Sequence, residues 1–204
     1  MADVSALFWD VGGVLLTNGW DGASRRRAVE EFGLGWDEFE ERHDLVVTDF
    51  EKGRISLDEY LRCTVFHRDR SFSEDAFKDF VFAQSKPYAA TLAIVERLAR
   101  DRKYLLATLN NESLELNLYR IERFGLRDHF DLFLSSSFLG VMKPEEEIYR
   151  VALNVTQRDP ANCVFIDDRE LNLECAARQG IRTIHYQNPE QLRHDLGELG
   201  FEPH

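Results

Sequence analysis

From Pro87 onward the chain alternates between two periodicities, and few folds accept that alternation. Short, nearly continuous apolar runs at Tyr104 to Thr108, Phe130 to Leu134, Cys163 to Ile166 and Arg182 to His185 read as buried strands. Between them apolar residues recur at helical spacing: Leu92, Val95, Leu98 and Ala99; Leu114, Leu118 and Ile121; Ile148, Val151, Ala152 and Val155; Leu173, Ala176 and Ala177. Gly125 and Gly180 close two of these helices. Strands without polar alternation are covered on both faces, so the pattern predicts a doubly wound α/β fold, a parallel sheet between helices.

A further apolar run, residues 4 to 9, leads into Asp10-Val11-Gly12-Gly13 and reads as the first strand and its turn. Residues 17 to 86 then lose the alternation and carry only helical patterns, such as Ala28, Val29 and Phe32 before Gly33, and Leu57, Tyr60 and Leu61. The expected organisation is a core of residues 1–16 and 87–204 with a helical insertion at 17–86. Most aromatics of the insertion are expected to form its own core rather than a ligand site.

The 204 residues include 37 acidic and 25 basic side chains, for a net charge of -12. That charge repels phosphodiester backbones and anionic lipid, so nucleic acid is not an expected partner. It also repels a phosphorylated metabolite, which would need a local lysine or bound metal. Cys63, Cys163 and Cys175 form neither a C-x-x-C pair nor an even set, suggesting neither disulfides nor zinc. Met1-Ala2-Asp3-Val4-Ser5 lacks the basic residues of a targeting segment, and no segment approaches the roughly 20 apolar residues of a membrane span. A cytoplasmic, non-membrane protein is expected, its oligomeric state open.

In open parallel sheets ligands bind beyond the carboxyl ends of the strands, where strand order switches. The residues expected there are Asp10, then Thr108-Leu109-Asn110-Asn111, then Ser135-Ser136-Ser137 leading to Lys143-Pro144, then Asp167-Asp168. Each has a plain alternative. Asp10 suits a turn before two glycines, Asn110 and Asn111 suit another, and the acid pair suits a helix amino terminus. Lys143 alone reads as a surface lysine. Together they offer more, because two adjacent carboxylates raise each other's pKa unless a cation sits nearby, and magnesium takes one or two carboxylates plus phosphate oxygens. The histidines show no metal-ligand spacing, and no Walker loop, G-x-S-x-G or full G-x-G-x-x-G is present.

In order, Asp10-Val11-Gly12-Gly13-Val14-Leu15, Thr108 with Asn110, Lys143-Pro144 and Ile166-Asp167-Asp168 resemble the four motifs of the haloacid dehalogenase superfamily. Gly140-Val141-Met142-Lys143-Pro144 followed by Ile148-Tyr149 is a specific part of that likeness. Within the superfamily the sequence looks most like bacterial glucose-1-phosphate phosphatases and the phosphatase-like domain of epoxide hydrolases. The resemblance implies that residues 17–86 form the cap and that Asp10 attacks phosphorus to form an aspartyl phosphate. It implies a Mg2+ ion held by Asp10, Asp168 and the Gly12 carbonyl, with Asp167 acting through water. It makes Thr108, Asn110, Lys143 and Gly12 substrate-binding and Asp10, Thr108 and Lys143 catalytic. The expected substrate is a small phosphorylated metabolite, with sugar phosphates among the candidates.

Two departures stand out. Typical phosphatases of the superfamily have a second Asp where this chain has Gly12, so the proton donor must come from water or the cap, with Asp21 and His43 as candidates. A positioned acid or base contributes about 10²- to 10⁴-fold, a small part of the roughly 10²¹-fold acceleration of the slowest phosphate monoesters, so its loss need not abolish activity. Leu109 stands where relatives carry Ser or Thr, leaving the register of that loop open. The alternatives are a metal-independent 2-haloacid dehalogenase, which keeps no adjacent acid pair, and a noncatalytic protein that binds a phosphorylated metabolite.

Overall fold

The computed structural model describes residues 4–201. Met1-Ala2-Asp3, part of the start read above, and His204 lie outside the described residues. Among the described residues one sheet forms from β1 (Ala6–Trp9), β2 (Leu105–Asn110), β3 (Leu132–Ser135), β4 (Cys163–Asp167) and β5 (Arg182–His185), all parallel, in the order β3-β2-β1-β4-β5. The chain runs outward from β1 to β3 and returns to the other side of β1, so the order switches at the centre.

Strand side chains alternate between the two faces. Leu7 and Trp9 of β1 join a cluster with Ile94, Val95 and Leu98 of α5 (Ala89–Asp101) and Leu192 and Leu196 of α10 (Pro189–Glu198). Ala6 and Phe8 face the other way, onto Ile148, Tyr149 and Ala152 of α8 (Glu146–Thr156) and Leu173 and Ala176 of α9 (Glu170–Arg178). The doubly wound α/β class read from the sequence is therefore the observed one. β2 runs two residues past its expected end, because Leu109 and Asn110 remain paired with Leu134 and Ser135 of β3.

The insertion contains α1 (Gly22–Phe32), α2 (Trp36–Glu51), α3 (Leu57–Thr64) and α4 (Glu74–Ala83) around a cluster of their own, which includes Ala28, Phe39, Phe50, Tyr60, Leu61, Phe77 and Val81. Asp21, Ser56 and Ser73 cap three of these helices through side-chain oxygens, satisfying amides the helix leaves unpaired. The two connections run side by side: Thr17 N donates to Lys86 O at 2.8 Å and Tyr88 N to Leu15 O at 2.9 Å. The far end of α2 is tied down separately. Ser136 Oγ, opening α7 (Ser136–Leu139), donates to Glu51 O at 2.6 Å, and Lys52 Nζ pairs with Glu145 Oε1 at 2.6 Å. Gly53, at φ 67°, lies so close that a Cβ there would sit 2.4 Å from Ser137 O.

Candidate active site

Asp10 follows β1 directly, its amide bonded to Ile166 O at 2.9 Å, so its side chain leaves at the carboxyl edge where the strand order switches. The loop after α7 brings Lys143 beside it. Lys143 Nζ lies 2.9 Å from Asp10 Oδ1 and 2.6 Å from Asp167 Oδ2, with all three side chains buried. Burial pushes the Asp10 carboxyl above the ordinary aspartate range, against the opposing pull of Lys143. Burial pulls the lysine down, but Asp10 and Asp167 outweigh it and hold the ammonium above its usual value.

The lysine is placed by its backbone. Asn111 forms a reciprocal pair with it, Asn111 Nδ2 donating to Lys143 O and Lys143 N donating to Asn111 Oδ1, both at 2.8 Å. Asp167, at the end of β4, is fully occupied: beyond the lysine it accepts from Arg169 N at 2.8 Å and takes Asn172 Nδ2 on both oxygens at 3.1 Å. Tyr149 in turn donates to Asn172 O at 2.9 Å. Asp167 thus orients the lysine.

Asp168 is the reverse case. Its Oδ1 is buried and has no hydrogen-bond partner among the described residues, and burial followed by the neighbouring Asp167 raises its pKa. It reaches this position because Gly13, at φ 83°, has no side chain; a Cβ there would lie 2.2 Å from Asp168 Oδ2. Asp10, Asp167 and Asp168 each offer an oxygen within 4.8 Å of the others. Clustered hard oxygens with one orphaned acceptor suit a hard cation such as magnesium.

Gly12 faces a small cavity of about 100 Å³ whose lining includes Asp10, Trp20, His43, Glu51, Arg120 and Lys143. A Cβ at position 12 would stand 2.8 Å from Asn18 Oδ1, so a side chain there would have to displace the Asn18 amide. Buried Arg120, of α6 (Leu114–Arg123), also borders position 12 and is paired with Glu112 Oε2 at 2.9 Å, donating to Ser85 Oγ at 3.0 Å and Thr17 O at 2.9 Å.

The sequence-predicted residues divide accordingly. Asp10, Lys143, Asp167, Asp168 and the Gly12 backbone come together at the rim. Thr108 and Asn110 do not join them. Thr108 pairs inside the sheet with Trp9 and Phe133, and strand alternation turns both side chains to the face opposite Ala107 and Leu109. Asn110 Nδ2 bonds instead to Asn117 Oδ1 at 3.2 Å. Leu109, in register beyond Trp9–Thr108, shares the Asp10 face, and Asn111 does the positioning after β2. His43 and Asp21 line the cavity, but Asp21 Oδ1 caps Ser24 N at 2.8 Å.

Sequence reasoning missed Asn18, Arg120, Glu112 and Glu51. Arg120 and Glu112 carry no spacing signal. Glu51 carries one: an acid at a helix carboxyl terminus opposes the helix dipole and so calls for another explanation.

The switch point of the doubly wound sheet thus presents a lysine-held aspartate beside a second carboxylate whose Oδ1 has no partner among the described residues. The haloacid dehalogenase-like hydrolase family model matches residues 4–180, and the chain belongs to that family. It is 26% identical over 159 residues to a flavin mononucleotide hydrolase of Arabidopsis thaliana, covering 78% of this chain and 64% of the relative's length. With a phosphatase of Mycobacterium tuberculosis it shares 28% identity over 215 residues, 97% of this chain and 95% of that one. A family enzyme of Bacteroides thetaiotaomicron, solved in complex with magnesium and inorganic phosphate, superposes with a TM-score of 0.76 at 25% identity, covering 90% of this chain and 94% of the other. No helix among the described residues is long and apolar enough to cross a membrane.

Proposed function

We propose that this hydrolase is a magnesium-dependent phosphatase of small phosphorylated metabolites, with Asp10 as nucleophile. The observation that carries the reading is the Asp10 carboxylate at the sheet's switch point, held 2.9 Å from Lys143 Nζ, with Asp168 and its orphaned oxygen alongside. Asp10 would attack phosphorus while the ester P–O bond breaks; water would then attack phosphorus, releasing phosphate and restoring the carboxylate. Lys143 favours the ionised form of Asp10 against its burial and faces the phosphoryl oxygens as a cation, offsetting the acidic surroundings. Asp10, Asp168 and the Gly12 carbonyl would hold the ion, which when bound supplies positive charge to the phosphoryl oxygens. Asp167 and Asn172 set the lysine's position.

Residues 17–86 act in this reading as a cap over the core of 1–16 and 87–204, and the small cavity between Gly12 and the α2 wall suits a compact leaving group, a sugar phosphate among others. The phosphatase of M. tuberculosis and the magnesium–phosphate complex of the B. thetaiotaomicron enzyme support the chemistry. The cytoplasm is the proposed compartment, in keeping with three unpaired cysteines.

The test is phosphate release from a panel of phosphate monoesters, with magnesium and with chelator. The reading expects release that needs the metal and is abolished in Asp10→Asn, and turnover retained within about tenfold would remove Asp10 as nucleophile. Chloride released from chloroacetate without metal would show a dehalogenase instead. Binding of phosphate esters without any release would show a noncatalytic protein.

A further inference from the structure

We infer that the Glu51 carboxyl group donates the proton to the leaving oxygen when Asp10 attacks and then serves as base for the hydrolytic water. This rests on the phosphatase reading and assigns the part that no side chain at position 12 can take. Glu51 lines the same cavity as Asp10, Gly12 and Lys143, from the α2 side. It is half-buried, and among the described residues nothing hydrogen-bonds to its carboxyl or pairs with it, although the other cavity acids are engaged.

Its location is built into the fold rather than left to a mobile side chain on a loop. Three contacts pin the end of α2 to the core: the Ser136 bond to Glu51 O, the Lys52–Glu145 pair and the packing of Gly53 on Ser137. The same Ser136 hydroxyl accepts from Glu112 N at 3.0 Å, so one side chain brings the backbones of two glutamates together. The groups that act on the Glu51 carboxyl are Glu112, Arg169, Arg25 and Lys143. Burial and then Glu112 prevail over the three cations and lift it to about 7, so it carries a proton near neutrality. The position at a helix carboxyl terminus acts in the same direction.

The rival donors fit less well. His43 Nδ1 lies 2.7 Å from Tyr60 Oη, which also accepts from Trp20 Nε1 at 2.8 Å, so the ring is engaged with the phenol. Burial holds that histidine at about 4. Asp21 is committed to its helix cap and Glu112 to Arg120. In the first step Glu51 gives its proton to the ester oxygen as that oxygen leaves phosphorus and the Asp10 oxygen–phosphorus bond forms. In the second, the Glu51 carboxylate takes a proton from the attacking water, the aspartyl O–P bond breaks, and both residues return to their starting forms.

The test compares an alkyl phosphate, whose leaving group needs a proton, with p-nitrophenyl phosphate, whose leaving group does not. Glu51→Gln should lower kcat/KM for the alkyl ester by about 10²- to 10⁴-fold while leaving the aryl ester within about tenfold. The aryl kcat/KM, which ends at release of nitrophenolate and does not register the later base step, also counts folded, competent protein. Wild-type kcat/KM for the alkyl ester should fall above about pH 7, with no such limb for the aryl ester, a readout that needs no variant. Equal losses on both esters, or none on either, with the same alkaline limb for both, would overturn the role of Glu51 and leave the phosphatase reading standing. A wild-type protein that releases phosphate from neither ester overturns both.

Discussion

Replacing Lys143 with methionine keeps an unbranched side chain one atom shorter and removes the cation between two buried carboxylates. The ammonium lies 2.9 Å from Asp10 Oδ1 and 2.6 Å from Asp167 Oδ2. At an effective dielectric near 20, each contact corresponds to a gross attraction of about 6 kcal/mol, most of which offsets the cost of burying the charges. Removing one partner of a buried ion pair costs about 3–5 kcal/mol, because the remaining charge is left without compensation. Here three carboxylates would remain within 4.8 Å with no lysine between them. Urea denaturation in chelator should therefore show Lys143→Met less stable by about 3–5 kcal/mol at pH 8. The pH dependence has a definite sign. Asp10 already has a folded-state pKa above its unfolded value, so the folded protein takes up the proton first. Acidification neutralises the unpaired charge, and the loss should shrink between pH 8 and pH 5. A loss below about 1 kcal/mol, typical of an exposed pair, or one that grows on acidification, would refute the reasoning.

Gly13→Ala would place a Cβ 2.2 Å from Asp168 Oδ2 at a φ of 83° and push that carboxylate off the rim. Calorimetry should find magnesium affinity reduced about 10- to 100-fold, and an unchanged affinity would show that Asp168 does not hold the ion. His43 makes the helical insertion acid-sensitive: with its folded-state pKa at about 4 against 6.5 unfolded, the unfolded chain binds the proton first, so stability falls as pH drops through that window. The loss attributable to His43 is about 3 kcal/mol, and His43→Gln should flatten the dependence of urea stability between pH 7 and pH 4; an unchanged slope would show that the ring is not held neutral.

The core was legible because its strands are buried on both faces and its helices are amphipathic, so period alone separates them. Asp10, Lys143 and the acid pair were legible for a related reason: each ends a strand, and the fold class dictates that strand ends share one rim. Thr108 shows the limit. Reading it as the end of β2 put its hydroxyl at the site, whereas pairing with β3 extends the strand and turns Thr108 and Asn110 to the other face. Glu51 and Arg120 lie on helices whose docking depends on Ser136, Gly53 and Thr17, contacts between residues 84 or more apart. No local pattern encodes such a contact. Gly12 was seen as a missing acid, but that the Asn18 amide lies against it is visible only in three dimensions.

The nucleophilic role of Asp10 is tested most directly by trapping the intermediate. Borohydride added to the protein turning over a phosphate monoester with magnesium reduces an aspartyl phosphate to homoserine. Mass spectrometry of the peptide containing position 10 should then show homoserine there, dependent on both substrate and metal and absent from Asp10→Asn. Sustained phosphate release with Asp10 unmodified under those conditions would contradict the account.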